Sequence, residues 1–313
     1  MHEPPQFPSI GITEMTSVAL LNPATRTLWP PVLLLLALLG LIAWQTDLFD
    51  WPSGPGTTIS APVTVTIMPR AYSYRDGGDF VRDGAPTDGP LLTVEHPAPI
   101  EIMTYQVSAR DYARCVADGD CEPAEPRRRG EGNVPVTGVS FRDANDYAAW
   151  LSHATGATWR LPTVAEWAFA AGSKAADHAL GVETDPQDPA ERWLAFYEKE
   201  AALGDNALRA PEPLGTFGVN EFGIADLAGS VWEWTATCGS RTTLDASGDP
   251  LHRLESCGVR FLEGRHRTPM NVFVRDAMGG GCSVGVPPDN LGFRLVRERG
   301  GAFATFLHLF GLA

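Results

Sequence analysis

The chain has 313 residues, 44% hydrophobic and 20% charged, a globular composition with room for one large domain or two ordinary ones. Acidic residues outnumber basic ones 38 to 24, and the net charge of −14 excludes nucleic acid as a partner because its phosphates would be repelled. Thirty-two glycines and 26 prolines predict turns and short elements over long helices.

Residues 1–27 are polar and proline-containing, and a disordered N-terminus is expected there. Leu28 to Trp44 carries no charge and is Leu-rich from Val32 to Leu41. At ~1.5 Å per residue this stretch reaches roughly 25 Å, the short end of a bilayer span. Trp29 and Trp44 mark its two ends, as interfacial anchors do. Arg26 precedes it while Asp47 and Asp50 follow, and no small-residue cleavage site comes after it. Residues 28–46 therefore read as a single-pass inner-membrane anchor with the bulk of the chain in the periplasm; a cleaved signal segment is the alternative. Residues 47–62, centred on Pro52 to Gly56, read as a linker.

Cysteine usage points to the same compartment. Cys115 and Cys121 bracket a turn short enough to bridge, and Cys238 and Cys257 bracket a polar loop that a disulfide would staple. Two such pairs suit an oxidising environment and leave Cys282 as the odd one. Neither pair has zinc-like spacing.

Val63 to Ile67 alternates as a strand does, Tyr72 to Asp88 predicts a strand pair with loops, and Pro99 to Val107 predicts another strand. Three helix starts share one local chemistry: Ser108 with Asp111, Ser140 with Asp143, and Thr163 with Glu166. Behind Ser140, the residues Ala144, Tyr147, Ala148 and Leu151 fall on one face. Trp167, Ala168, Ala170 and Ala171 follow Thr163 before Gly172. Arg127, Arg128 and Arg129 read as a solvated loop. A helix is expected over 189–202, a polar loop over 237–256 and a closing strand from Leu291 to Val296. The tail, 300–313, is apolar with a Phe303, Phe306, Leu307 and Phe310 stripe that would suit docking or a membrane surface; a plain terminal extension is the alternative.

The stretch Trp232-Glu233-Trp234 sets an acid among indoles, and a buried carboxylate needs a partner. An arginine in the core would serve. So would a cation: Asp226 lies seven residues earlier, and Gly229 between them could let carbonyls turn inward, giving the all-oxygen set that calcium takes. Both readings stand on spacing alone.

Five stretches together resemble the formylglycine-generating enzyme (sulfatase-modifying factor) family and occur in its order: Tyr105 to Tyr112, Val134 to Ala144, Arg160 to Ala171, Gly229 to Trp234, and Asn290 to Arg294. The resemblance covers 63–299. It implies one α+β domain of C-type-lectin-like type, poor in regular secondary structure, with a calcium ion held by Asp226, Gly229, Val231 and Glu233. The oxygen-using members bind copper(I) through two cysteines, as a soft metal requires. Counted back without gaps from Asn290 to Arg294, those two positions fall on His266 and Asn271, so formylglycine chemistry by that route is not expected.

Arg265, His266, Arg267, Asn271, Arg275, Asp276 and Cys282 would cluster where the family has its cleft. A cationic lip there could bind an acidic peptide, or His266 and Cys282 could hold copper or iron; structural salt bridges from Arg267 and Arg275 are the plainer alternative. The wording around Gly264 to Arg267 and Gly279 to Cys282 resembles accessory proteins encoded beside copper nitrite reductase. The sequence thus predicts a periplasmic accessory or maturation protein with a protein or peptide partner, a metalloenzyme being one candidate. A metal-dependent oxidoreductase acting through His266 and Cys282 is the alternative.

Overall fold

The computed structural model describes residues 33–35, 38, 59–182, 190–202, 209–277 and 290–298. The chain divides into two units, 1–57 and 58–313. In the first, Leu33, Leu34, Leu35 and Leu38 are helical and exposed. No helix among the described residues is long and apolar enough to cross a membrane. The rest of the expected anchor, the linker up to 58, and the tail from 299 lie outside the described residues, as does Cys282.

The second unit is α+β. Among the described residues its α-helices are α1 (Ala109–Asp118), α2 (Phe141–Thr155), α3 (Val164–Ala171) and α4 (Ala190–Ala202). The first three start where their caps predict. Ser108 accepts the Asp111 amide, and Ser140 with Asp143 and Thr163 with Glu166 each complete a reciprocal capping box. Each box satisfies two amides that a helix start leaves orphaned. The faces read from the sequence are the buried ones: Ala144, Tyr147, Ala148 and Leu151 on α2, and Trp167, Ala168, Ala170 and Ala171 on α3.

The first sheet has four strands in the order β1 (Thr64–Ile67), β6 (Ile100–Met103), β12 (Val296–Arg297) and β7 (Trp159–Arg160). β2 (Ala71–Arg75) pairs with β5 (Leu91–Glu95) in a separate ribbon. The largest sheet runs β10 (Thr268–Asn271), β9 (Pro250–Glu263), β8 (Trp232–Leu244), β3 (Asp79–Arg82) and β4 (Ala85–Thr87). β11 (Leu291–Gly292) adds to it in parallel with the start of β8. The closing strand is therefore two short ones in different sheets, joined through Phe293, Arg294 and Leu295.

The expected polar loop over 237–256 is instead most of a long antiparallel hairpin of β8 and β9, turning at Asp245 to Asp249. The sequence concealed it because residues 250–258 are exposed on both faces, so no apolar alternation marks β9. Cys238–Cys257 bonds the two strands to each other, and Cys115–Cys121 closes the end of α1.

Two apolar clusters form the core. One gathers α1 and α2 with Trp232, Trp234, Phe293 and Leu295. The other gathers α3 with Ile67, Ile100, Ile102 and Val296.

Candidate functional site

β8 is what brings the two clusters together. Successive side chains on a strand point to opposite faces, so Trp232 and Trp234 enter the first cluster while Glu233 points towards the second. Each indole has a carbonyl for its N–H: Trp232 Nε1 donates to His266 O at 3.0 Å and Trp234 Nε1 to Val139 O at 2.8 Å. Glu233 is 1% exposed.

Its partner is an arginine. Arg294, 0% exposed, donates Nε to Glu233 Oε2 at 2.6 Å and Nη2 to Oε1 at 2.7 Å. Trp167 Nε1 adds a bond to Oε2 at 2.9 Å and Gln106 Nε2 one to Oε1 at 2.8 Å. The guanidinium also donates to Thr104 O and Ala225 O, so the pair is hydrogen-bonded on both sides, as a buried ion pair requires.

The other expected calcium ligands are also engaged. Asp226 sits in the left-handed region at φ 59° and its carboxylate accepts the amides of Gly215 at 2.6 Å and Phe217 at 2.9 Å. Its carbonyl takes Gln106 Nε2 at 3.2 Å. Gly229 does not supply the turn; Asp226 and Ala228 hold the positive φ values. A Cβ at 229 would meet the Phe217 ring at 2.7 Å, which is why glycine stands there. Val231 is a buried core residue beside β11. An ion at Asp226, Gly229, Val231 and Glu233 would have to displace Arg294 and Gln106 from the carboxylate, so the residues as they stand do not fit calcium. Among the described residues no group of three or more His, Cys, Asp or Glu is arranged to hold a metal.

A second buried acid, which the sequence reading missed, lies directly across the hairpin. Glu263 is the register partner of Glu233 and is also 1% exposed. Arg267 Nε donates to its Oε1 at 2.6 Å, and His178 Nε2 lies 3.6 Å from Oε2. Burial alone would raise its pKa, but the Arg267 charge and the His178 contact outweigh that and hold Glu263 below the ordinary carboxylate range. His178 and Arg267 line a polar cleft of about 420 Å3 with Arg75, Gly78, Ser240 and Phe261. Several charges in or beside the cleft are paired: Arg75 with Asp177, Arg192 with Asp88, and Arg253 with Asp76.

The residues expected to form one cationic cleft are divided among several settings. His266 is buried with its ring edge-on to Trp232, and Arg265 lies over that same indole at 5.0 Å. Arg267 belongs to the Glu263 network. Asn271 is exposed and accepts the Phe273 amide at 3.0 Å. Arg275 donates to Asp143 and Glu125, each at 2.7 Å, and Asp276 pairs with Arg127 at 3.1 Å. The structural salt bridges offered as the plainer reading of Arg267 and Arg275 are thus present.

The sulfatase-modifying factor enzyme 1-like domain model matches residues 60–299. The chain belongs to that family. It is 39% identical over 108 residues to a formylglycine-generating enzyme of Mycobacterium tuberculosis, a stretch covering 33% of each chain. It is 31% identical over 185 residues to a mouse protein named inactive Cα-formylglycine-generating enzyme 2, covering 57% of this chain and 54% of that one. A hercynine oxygenase of Mycolicibacterium smegmatis is 38% identical over 109 residues, covering 34% of this chain and 22% of that one. The chain thus spans about half or less of the length of these relatives. Among solved structures, PvdO from Pseudomonas aeruginosa aligns over 79% of this chain and all of its own, with TM-score 0.49 and 23% identity.

Proposed function

We propose that this member of the sulfatase-modifying factor family is an exported, membrane-anchored accessory or maturation protein that binds a protein partner in the periplasm and does not make formylglycine by the copper route. One observation carries the reading. Of five cysteines, four are tied in the Cys115–Cys121 and Cys238–Cys257 disulfides, which leaves one thiol where a two-thiolate copper(I) site needs two.

The positions counted for the family's cysteine pair support it further. His266 is packed against Trp232, and Asn271 caps a local turn. A relative whose name declares it inactive gives precedent within the family. Export is supported by two disulfides, which persist in oxidising compartments, and anchoring by the helical, solvent-exposed leucines 33–35 and 38.

The test is direct. The chain from residue 58 onward, supplied with copper(I) or iron(II) under air, is incubated with a sulfatase-type cysteine peptide whose mass is followed. No conversion is expected; appearance of the aldehyde overturns the reading.

A further inference from the structure

We infer that the groove between α1 and the strap of residues 123–137 is a binding site for an extended peptide of a partner protein that pairs an apolar side chain with a carboxylate. The inference rests on the accessory reading and names the chemistry of its partner.

The groove measures about 400 Å3, within the usual range for ligand sites. Ala109, Ala113 and Val116 of α1 form one side, and Val134 and Val136 form the floor. Pro123, Pro126, Pro135 and Pro211 stiffen the walls. It is also held open in advance. The Cys115–Cys121 disulfide fixes the start of the strap to α1, Tyr112 Oη donates to Glu122 O at 2.9 Å, and the Glu125 amide donates to Gly138 O at 2.9 Å. Arg275 grips Glu125, and Asp276 grips Arg127. A rigid apolar groove binds with little ordering cost.

Charge then selects the occupant. Of the three consecutive arginines, Arg127 is committed to Asp276, whereas Arg128 and Arg129 are exposed and line the groove. Among the described residues neither side chain makes a hydrogen bond or ion pair. In a chain of net charge −14, two uncommitted guanidinium groups beside an apolar trough are a local exception. Guanidinium forks match carboxylate geometry, so the complementary ligand is acidic as well as apolar. In the polar cleft near His178, by contrast, Arg75, Arg192 and Arg267 are each paired with an acid.

The test uses the chain from residue 58 onward and a fluorescein-labelled hexapeptide of alternating leucine and glutamate, read by anisotropy, with a leucine–lysine hexapeptide as the charge control. The acidic peptide should bind and the basic one should not. Arg128→Ser with Arg129→Ser should weaken binding about tenfold. Ala113→Tyr, at an exposed position, should block the groove with unchanged thermal stability. Equal binding of both peptides, binding indifferent to these variants, or no binding at millimolar peptide each overturns the inference. These outcomes are separable from the accessory reading, which falls only if the cysteine peptide is oxidised.

Discussion

Glu233 and Glu263 stand opposite each other across the β8–β9 hairpin, both buried, and each is neutralised by its own arginine. Like charges facing across a strand pair repel, and here little water is present to screen them. The arrangement holds because Arg294 and Arg267 approach from different elements. Neither acid can lose its cation without leaving a bare charge in the core.

Removing one arginine should therefore cost more than removing the whole pair. Arg294→Met strands Glu233 and should destabilise the domain by about 3–5 kcal/mol. Arg294→Met combined with Glu233→Gln should lose clearly less, because the amide needs no counter-charge. Urea midpoints of the two variants decide it; an equal or larger loss in the double variant refutes the argument. The same pair bears on calcium: with the carboxylate satisfied by Arg294, chelator should leave the melting temperature unmoved, and a rise on adding calcium would show an ion displacing the guanidinium.

Acid should unfold the domain through its buried acids. Burial alone would raise Glu166 too, but Arg160 and the Thr163 amide hold it, like Glu263, below the ordinary range. A depressed folded pKa contributes stability that is present above the unfolded value, about 4.3, and is lost as pH falls through the folded values. Unfolding free energy should be flat near neutrality and decline below about pH 4. Glu263→Gln should lower stability at pH 7 yet make the acid decline shallower. An unchanged slope would mean that Glu263 is not one of the groups taking up protons.

The two disulfides should not be equivalent. Cys238–Cys257 closes a separation of 19 residues and Cys115–Cys121 one of 6. Loop entropy assigns them about 3 and about 2 kcal/mol respectively. Paired serine substitutions measured by urea unfolding should reproduce that order; the reverse order would show that the short bridge acts mainly through native packing.

Gly138 should be intolerant of any side chain. It adopts φ 73°, and a Cβ there would meet the Glu125 carbonyl carbon at 2.2 Å. Both the conformation and the contact oppose Gly138→Ala. The variant should push the strap away, lower the melting temperature and weaken peptide binding in the groove together. A variant as stable as the parent would mean that the strap is not seated against this backbone.

The sequence by itself determined the helix starts, because capping is local: Ser108, Ser140 and Thr163 act on amides three residues away. It also determined both disulfide pairs, since each closes a short stretch, and the family, through motifs read in order. It determined that Glu233 must have a partner, because a carboxylate between two buried indoles cannot stand alone. Only the tertiary structure decided which partner. Arg294 lies 61 residues away and reaches the acid because β11 lies parallel to β8. Glu263 was invisible for the same reason: its significance is a register across a hairpin whose β9 strand is largely exposed and carries no periodic signal. The groove beside Arg128 and Arg129 required the fold as well, since the sequence shows three arginines, and only packing commits one to Asp276 and leaves two beside an apolar trough.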